Sequence, residues 1–110
     1  MSIIVNIYYT GENGSARRFA EEMTNSGIVA GIRAEAGNEG YEYFFPMEDP
    51  ETVLLIDRWL DQAAIDAHHA SEWMGKITAL REKYDLHMRV ERLLSDADGF
   101  SEHDKQFIKR

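Results

Sequence analysis

The chain has 110 residues, a formal net charge of −8 and no cysteine. A length of this order forms one domain with a modest core. The lack of cysteine excludes disulfides and thiol chemistry, and the negative charge disfavours binding to nucleic acids. No apolar run reaches membrane-spanning length and the first residues lack the basic region of a signal peptide, so we expect a cytoplasmic protein that does not bind membranes.

The first third of the chain predicts a strand, a turn and a helix. Residues 3–9 are β-branched and aromatic, which is typical of a strand. The turn that follows offers Asn13 or Ser15 as the N-cap of a helix over 15–27, in which apolar residues recur at helical spacing. Gly27 fits the position just after the C-terminus of this helix.

The middle of the chain predicts a hairpin. Residues 28–35 fit either a helical turn or an extended segment, and we expect 36–40 to form a loop. Two apolar segments, 41–47 and 53–60, are separated by a short turn that contains Pro50. We therefore predict two antiparallel strands.

A helix broken in two and a last strand complete the pattern. Asp61 is the predicted N-cap of a helix that ends near Ala70, and Ser71 is the predicted cap of a second helix. Residues 86–94 alternate between polar and apolar side chains and predict the fourth strand. Four residues form one apolar stripe along the second helix: Trp73, Ile77, Leu80 and Tyr84.

The order β-α-β-β-α-β predicts an α+β fold of the ferredoxin-like, split β-α-β type, with helices on one face of an antiparallel sheet. The domain spans 1–94, and 95–110 forms a C-terminal extension with a short helix from Ser101. Phe100 and Phe107 of this extension are expected to contact a partner subunit. The other sheet face needs a cover, and a homodimer is the simplest one. Five apolar residues are assigned to that face: Phe44, Leu54, Ile56, Met88 and Val90.

The segments RAEAGNEGYEYF, VLLIDRW and DQAAIDAHHAS, taken in this order, resemble the antibiotic biosynthesis monooxygenase family of dimeric α+β barrels. The resemblance covers roughly 1–94. An R-A-E-x-G turn, a Y-E strand, a strand that ends in Trp and an A-x-x-A-H-x-x-S helix carry it. The matching residues here are Arg33, Ala34, Glu35, Gly37, Tyr41, Glu42 (or Tyr43), Trp59, Ala64, Ala67, His68 and Ser71.

The resemblance implies a dimeric α/β barrel and, among its known activities, oxygenases that act on phenolic polyketides and quinols without a cofactor. Related barrels degrade haem. Many members have a second histidine in an S-P-H-F segment, whereas this chain has S-E-W-M at 71–74. Members whose chemistry uses that histidine are therefore not a guide to this chain.

His68 and His69 are adjacent on the helix that Asp61 begins. With Ile65 facing the core, they lie about 60° and about 40° to either side of that direction. His68 occupies the position of the family histidine and is the candidate catalytic base; the alternative is a boundary histidine bonded to the backbone. Adjacent histidines diverge on a helix and no HxxxH spacing occurs, so we expect no metal site.

Asn6 is a polar residue in an otherwise apolar strand, where an unpaired amide costs roughly 1–3 kcal/mol. It either bonds to the backbone at an edge or faces a cavity, together with Ile4 and Tyr8 by alternation. In the haem-degrading relatives the matching position is an Asn that faces the ligand. We therefore take Asn6 as the second catalytic candidate and Tyr8 as a substrate-binding one.

Three further aromatic residues, Trp59, Trp73 and Tyr43, are candidates for substrate binding. Trp59 ends the third strand and Trp73 begins the apolar stripe, so each also fits a role in packing. The segment at 11–14 does not meet the G-x-G-x-x-G spacing, and the sequence predicts no bound cofactor.

The sequence thus predicts a monooxygenase that takes its electrons from a small aromatic substrate such as a quinol or phenol. His68 removes a proton, Asn6 stabilises the anion, and the aromatic residues exclude water. Three alternatives remain open: a small-molecule binder without activity, a haem-degrading relative, and a purely structural dimer whose pocket is filled by its own side chains.

Overall fold

The structure, a computed structural model, describes residues 1–109. It confirms the predicted α+β, ferredoxin-like class and element order. Within these residues, no helix has the length and apolar character needed to cross a membrane. The elements are β1 Ile3–Thr10, α1 Ser15–Asn25, α2 Ile28–Arg33, β2 Asn38–Phe44, β3 Thr52–Trp59, α3 Gln62–His69, α4 Glu72–Lys83, β4 His87–Leu94 and α5 Glu102–Lys105.

The sheet has the strand order β2-β3-β1-β4, and all neighbouring strands are antiparallel. Odd-numbered residues of β1 and β3 face the helices, and buried residues such as Ile3, Tyr9 and Leu55 form the core there. Since strand side chains alternate, the even-numbered residues of these strands point to the opposite face, which we call the open face.

Three of the five apolar residues assigned to the open face lie there: Phe44, Leu54 and Ile56. Leu54 pairs with Tyr8 of β1 and with Phe44 of β2, and Ile56 pairs with Asn6 of β1. The other two assignments are wrong. Met88 pairs with Tyr9, and Val90 with Ile7, so both lie on the helix side. One face of the fourth strand carries Met88, Val90 and Leu94, and its pairing register with β1 places this more apolar face on the helix side.

The predicted hairpin of β2 and β3 is confirmed, but the loop expected over 36–40 is shorter. β2 begins at Asn38, and the register shifts between Asn38 and Gly40. The Asn38 side-chain amide donates to the Gly40 carbonyl across this bulge. The polar segment 38–40 can thus form the start of β2, because the bulge accommodates its irregular pairing with β3.

Glycines set the ends of the first two helices. Gly14, with φ 79°, is the N-cap of α1, so the prediction of Asn13 or Ser15 is wrong; the Ser15 hydroxyl accepts a hydrogen bond from the Glu12 amide instead. Gly27, with φ 88°, follows α1 as predicted and also begins α2, which resolves 28–35 mainly as helix.

The caps of the divided helix are placed as predicted. Asp61 is the N-cap of α3, and its carboxylate accepts from the Ala64 amide at 2.9 Å. Ser71 occupies the N-cap position of α4, but its hydroxyl donates to the His68 carbonyl at 2.7 Å. The first bond caps the N-terminus of α3, and the second satisfies a carbonyl group of its last turn.

The extension after β4 contains a 3-10 turn, Ala97–Gly99, and the short helix α5. Ser101 and Asp104 form a capping box at the start of α5. Phe100 and Phe107 are exposed in the single chain. Their contact with a partner subunit stays a prediction.

Candidate functional site

A cavity of about 310 Å³ lies between the helix face of the sheet and the helices α3 and α4. Its floor comes from β1, β3 and β4, and its apolar part includes Val5, Ile7 and Leu55. Ile65, on α3, and Ile77, on α4, cover it from the helix side. An apolar cleft with a few converging polar groups is the usual form of a small-molecule site.

Asp57 and Trp59 occupy the same side of β3 and contribute to the cavity wall. Asp57 is 6 % exposed, and its Oδ2 accepts a hydrogen bond from the Trp59 indole N–H at 2.7 Å. Its Oδ1 is buried and has no hydrogen-bond partner within residues 1–109. Burial raises the pKa of Asp57, and the hydrogen bond from Trp59 opposes that rise.

His68 also lines the cavity, from the last turn of α3, and is 6 % exposed. Its Nδ1 is 2.6 Å from Oε2 of Glu35, in the loop before β2, and its ring centroid is 4.7 Å from that of Trp59. An ionised Glu35 accepts from Nδ1–H, which leaves Nε2 of a neutral imidazole with a free lone pair. The contacts thus orient a ring that is able to take up a proton.

Two arginines add positive charge to the cavity wall, which also includes a second histidine. Arg81, on α4, donates from Nε and Nη2 to the Tyr9 hydroxyl at 3.1 and 2.8 Å. Arg92, on β4, and His69, beside His68, also line the cavity. Burial raises the pKa of Tyr9 although Arg81 opposes this, so Tyr9 acts as a neutral hydroxyl that anchors the arginine.

Of the residues predicted to act together, His68 and Trp59 lie in the cavity wall, whereas Asn6 and Tyr8 do not. Asn6 pairs with Ile56, and Tyr8 with Leu54, on the open face. The expectation that Asn6 and His68 share one cavity is therefore wrong. Alternation places Asn6 with Tyr8, as predicted, but on the side of the sheet away from the helices.

Trp73 and Tyr43 also lie outside this wall. Trp73 packs its ring against Gly31 of α2, where a Cβ atom would clash with it. Tyr43 faces the helices, but its ring contacts Phe19 and Tyr41, and burial raises its pKa. Its buried hydroxyl has no partner among the described residues. Both residues serve the packing of the helix layer.

Four residues that contribute to the site were not predicted from the sequence: Glu35, Asp57, Arg81 and Arg92. The sequence does contain a feature that indicates Asp57: it is an acidic residue in the apolar segment VLLIDRW, two positions before Trp59. Glu35 belongs to the R-A-E-x-G turn, but its contact with a histidine 33 residues away depends on tertiary structure. Within residues 1–109, no group of three or more His, Asp or Glu side chains is arranged to hold a metal ion.

Three solved structures illustrate the similarity of the fold. PA3566 from Pseudomonas aeruginosa is 25 % identical with a TM-score of 0.74, over 87 % of this chain and 95 % of that one. A conserved protein from Methanosarcina mazei Go1 is 20 % identical with a TM-score of 0.74, over 87 % and 94 %. A variant of SnoaB, a cofactor-independent oxygenase from Streptomyces nogalater, is 14 % identical with a TM-score of 0.71, over 86 % and 93 %.

A search of curated proteins finds no match. The family model described as antibiotic biosynthesis monooxygenase matches residues 2–80, which is most of the domain and includes β1 to α3, Glu35, Asp57 and His68. Membership of this family supports a role of the monooxygenase or small-molecule-binding type. The chain belongs to the antibiotic biosynthesis monooxygenase family.

Proposed function

We propose that the protein is a monooxygenase without a bound cofactor and that it oxidises a quinol or a phenolic, polyketide-like molecule in this cavity. The observation that carries the proposal is the buried His68, oriented by Glu35 at 2.6 Å and by the ring of Trp59. The family match supports the reaction type, and the similarity to SnoaB, described as a cofactor-independent oxygenase, supports the lack of a cofactor.

His68 acts as the general base. Its Nε2 takes the proton of a substrate hydroxyl, and Glu35 stabilises the imidazolium that results, as a carboxylate does in other acid–base pairs. A general base contributes on the order of 10²–10⁴-fold to a rate. The quinolate that forms is electron-rich and reacts with dioxygen more readily than the neutral quinol.

The substrate supplies every electron that the reaction needs. A quinol and one dioxygen give a hydroxyquinone and one water, so one oxygen atom replaces a ring hydrogen and the other leaves as water. Two electrons come from the oxidation of quinol to quinone, and two from the conversion of C–H to C–OH. The protein's part is to remove protons, hold the anion and keep bulk water out.

The cavity wall matches this task. Leu55, Ile65 and Ile77 present apolar groups that exclude water. Arg81 places a positive charge in the same wall and takes the anion-stabilising role that the sequence analysis gave to Asn6. A cation in a partly dry site stabilises a developing phenolate more than it would in bulk water.

Oxygen-electrode measurements with chelator-treated protein and a panel of hydroquinones test this function. We expect protein-dependent oxygen uptake, with one atom of ¹⁸O from ¹⁸O₂ in each product molecule and the other in water. If hydroquinones raise the melting temperature of the protein but no oxygen is consumed, the protein is a binder and the proposed reaction is wrong.

A further inference from the structure

Asp57 is a buried acid to which the proposed reaction assigns no step. Its Oδ2 is occupied by the Trp59 indole, and its Oδ1 is buried within the chain without a hydrogen bond from residues 1–109. We therefore do not expect either oxygen to bind a substrate. Burial raises the pKa of this carboxyl, so its ionised form lowers the stability of the fold. A buried group that costs stability is a candidate for a role in function.

The bond between Asp57 and Trp59 fixes the orientation of the indole ring. The two residues lie two positions apart on β3, so their side chains share the helix side of the sheet. Trp59 is 1 % exposed, and its N–H donates to Oδ2 at 2.7 Å. A hydrogen bond to a charged acceptor is stronger than one to a neutral group. The carboxylate thus holds the indole at one rotation within the wall.

The indole in turn supports one face of the His68 ring. The ring centroids are 4.7 Å apart and the ring planes are tilted by 32°. Glu35 holds the edge of the same imidazole, with Oε2 2.6 Å from Nδ1. A single hydrogen bond at Nδ1 still permits the ring to rock about that bond, and the stacked indole limits this motion. The two contacts together determine where Nε2 points.

We propose that Asp57 is a positioning residue for His68 and that it acts through the indole of Trp59. The inference rests on the proposed function, because the direction of Nε2 affects a rate only if His68 takes a proton. Without the carboxylate, the indole is free to tilt and no longer holds the imidazole in line with the substrate hydroxyl. A displacement of about 1 Å in a reacting group can lower a rate about 100-fold.

Two substitutions of Asp57 separate its hydrogen bond from its charge. Asp57→Leu removes the acceptor for the indole, and we expect kcat of oxygen uptake to fall by about 10–100-fold. Asp57→Asn keeps an oxygen that accepts from the indole and should stay within about 5-fold of the wild type. Asp66→Leu is the matched control, since Asp66 is exposed on α3 and bonds only to Gln62, and it should change kcat by less than about 2-fold.

A double-mutant cycle tests whether Asp57 acts through the indole. Trp59→Phe keeps an aromatic ring beside His68 but has no N–H for the carboxylate. In this background we expect Asp57→Leu to lower kcat by less than about 2-fold, because the bond that it would break is already absent. The full 10–100-fold loss in both backgrounds would overturn the inference.

Substrate binding should not change, because Asp57 does not contact the ligand. Fluorescence titrations with 2-naphthol under nitrogen measure the dissociation constant without turnover. We expect the values for Asp57→Leu and the wild type to agree within about 3-fold. A loss of affinity as large as the loss in kcat would make Asp57 a binding residue and would contradict the positioning role.

Nuclear magnetic resonance of the imidazole C–H groups reports the position of the ring without any reaction. In the wild type, the ring current of Trp59 should shift the His68 signals to lower frequency than those of the exposed His69. Asp57→Leu should move the His68 signals towards those of His69, whereas Asp57→Asn should leave them in place. Asp57→Ala replaces the leucine variant if melting curves show that the latter is unfolded.

Unchanged His68 signals in a folded variant that lacks the acceptor would overturn the inference, even where oxygen uptake is found. If the signals move as expected but no hydroquinone supports oxygen uptake, Asp57 still positions the ring of His68 and the proposed reaction fails.

Discussion

At the scale of single residues, the bond between Glu35 and His68 decides which ring nitrogen carries the proton. Their side chains meet at 2.6 Å although the residues are 33 positions apart. We expect Glu35→Gln to lower kcat of the proposed reaction by about 10–100-fold, because a neutral amide no longer stabilises the imidazolium. Initial rates of oxygen uptake at saturating substrate measure this.

Glu39→Gln is the control for this substitution, since Glu39 is exposed and pairs with Arg58 instead. It removes the same charge from the same segment and should leave kcat within about 2-fold of the wild type. Equal rates for Glu35→Gln and the wild type would contradict this prediction and would limit the Glu35 carboxylate to a structural contact between the loop before β2 and α3.

Asp57 should give folding stability a dependence on pH. Its pKa is raised in the folded state by burial, so the folded protein binds the proton more tightly than the unfolded chain does. The wild type then loses stability as pH rises from the unfolded pKa, about 4, through the higher folded one. In urea denaturation at a series of pH values, Asp57→Asn should gain stability relative to the wild type over this window; a difference that does not vary with pH would contradict this.

Asn6 illustrates what a strand pattern cannot decide. The alternation in IIVNIYY correctly groups Asn6 with Ile4 and Tyr8, but both faces of β1 are apolar, so the sequence does not indicate which face the helices cover. Asp57 was the better guide, because its alternation with Trp59 and Leu55 places it among buried residues. The cavity itself arises from tertiary packing and has no local sequence signal.

At the scale of elements, the position of α3 depends on Gly37. Its φ of 82° lies in the left-handed region, and a Cβ there would press on Ala64 of α3. We expect Gly37→Ala to destabilise the protein by about 1–3 kcal/mol, because the new methyl group adds both backbone strain and a clash. Urea denaturation measures the change.

Gly75→Ala is the matched control for this methyl group. Gly75 lies inside α4 with open space around its Cβ position. Alanine is the better helix former there, so we expect stability to rise by about 0.5–1 kcal/mol. The same sign for both substitutions would contradict the role given to Gly37.

The elements with strong local signals were predicted from the sequence to within a few residues. Asp61 and Ser71 occupy the predicted cap positions that divide the long helix in two. The start of β2 was not predicted, because Asn38 and Gly40 form a strand only through an irregular pairing with β3. Such pairing depends on residues distant in sequence, which local propensity does not represent.

At the scale of the whole molecule, the open face carries apolar side chains that the single chain leaves partly uncovered. Ile4, Leu54 and Ile56 lie there beside Asn6, whose Oδ1 is buried without a partner within residues 1–109. We propose that a second copy of the chain covers this face, sheet against sheet, as the sequence analysis predicts.

Light scattering after gel filtration tests the homodimer. The wild type should have twice the monomer mass, and Ile56→Glu should have the monomer mass, because it would bury a charge between the sheets. Ala67→Glu, on the exposed side of α3, adds the same charge and should remain dimeric. A monomeric wild type would contradict the proposed interface.

The comparison of two neighbouring histidines tests most directly whether the cavity is an active site. His68→Gln and His69→Gln remove the same group from adjacent positions of α3, but of the two imidazoles only that of His68 is bonded to Glu35. With a hydroquinone that the wild type oxidises, we expect the rate of oxygen uptake to fall on the order of 100-fold or more for His68→Gln and by less than about 5-fold for His69→Gln. Wild-type rates for a folded His68→Gln protein would contradict the account.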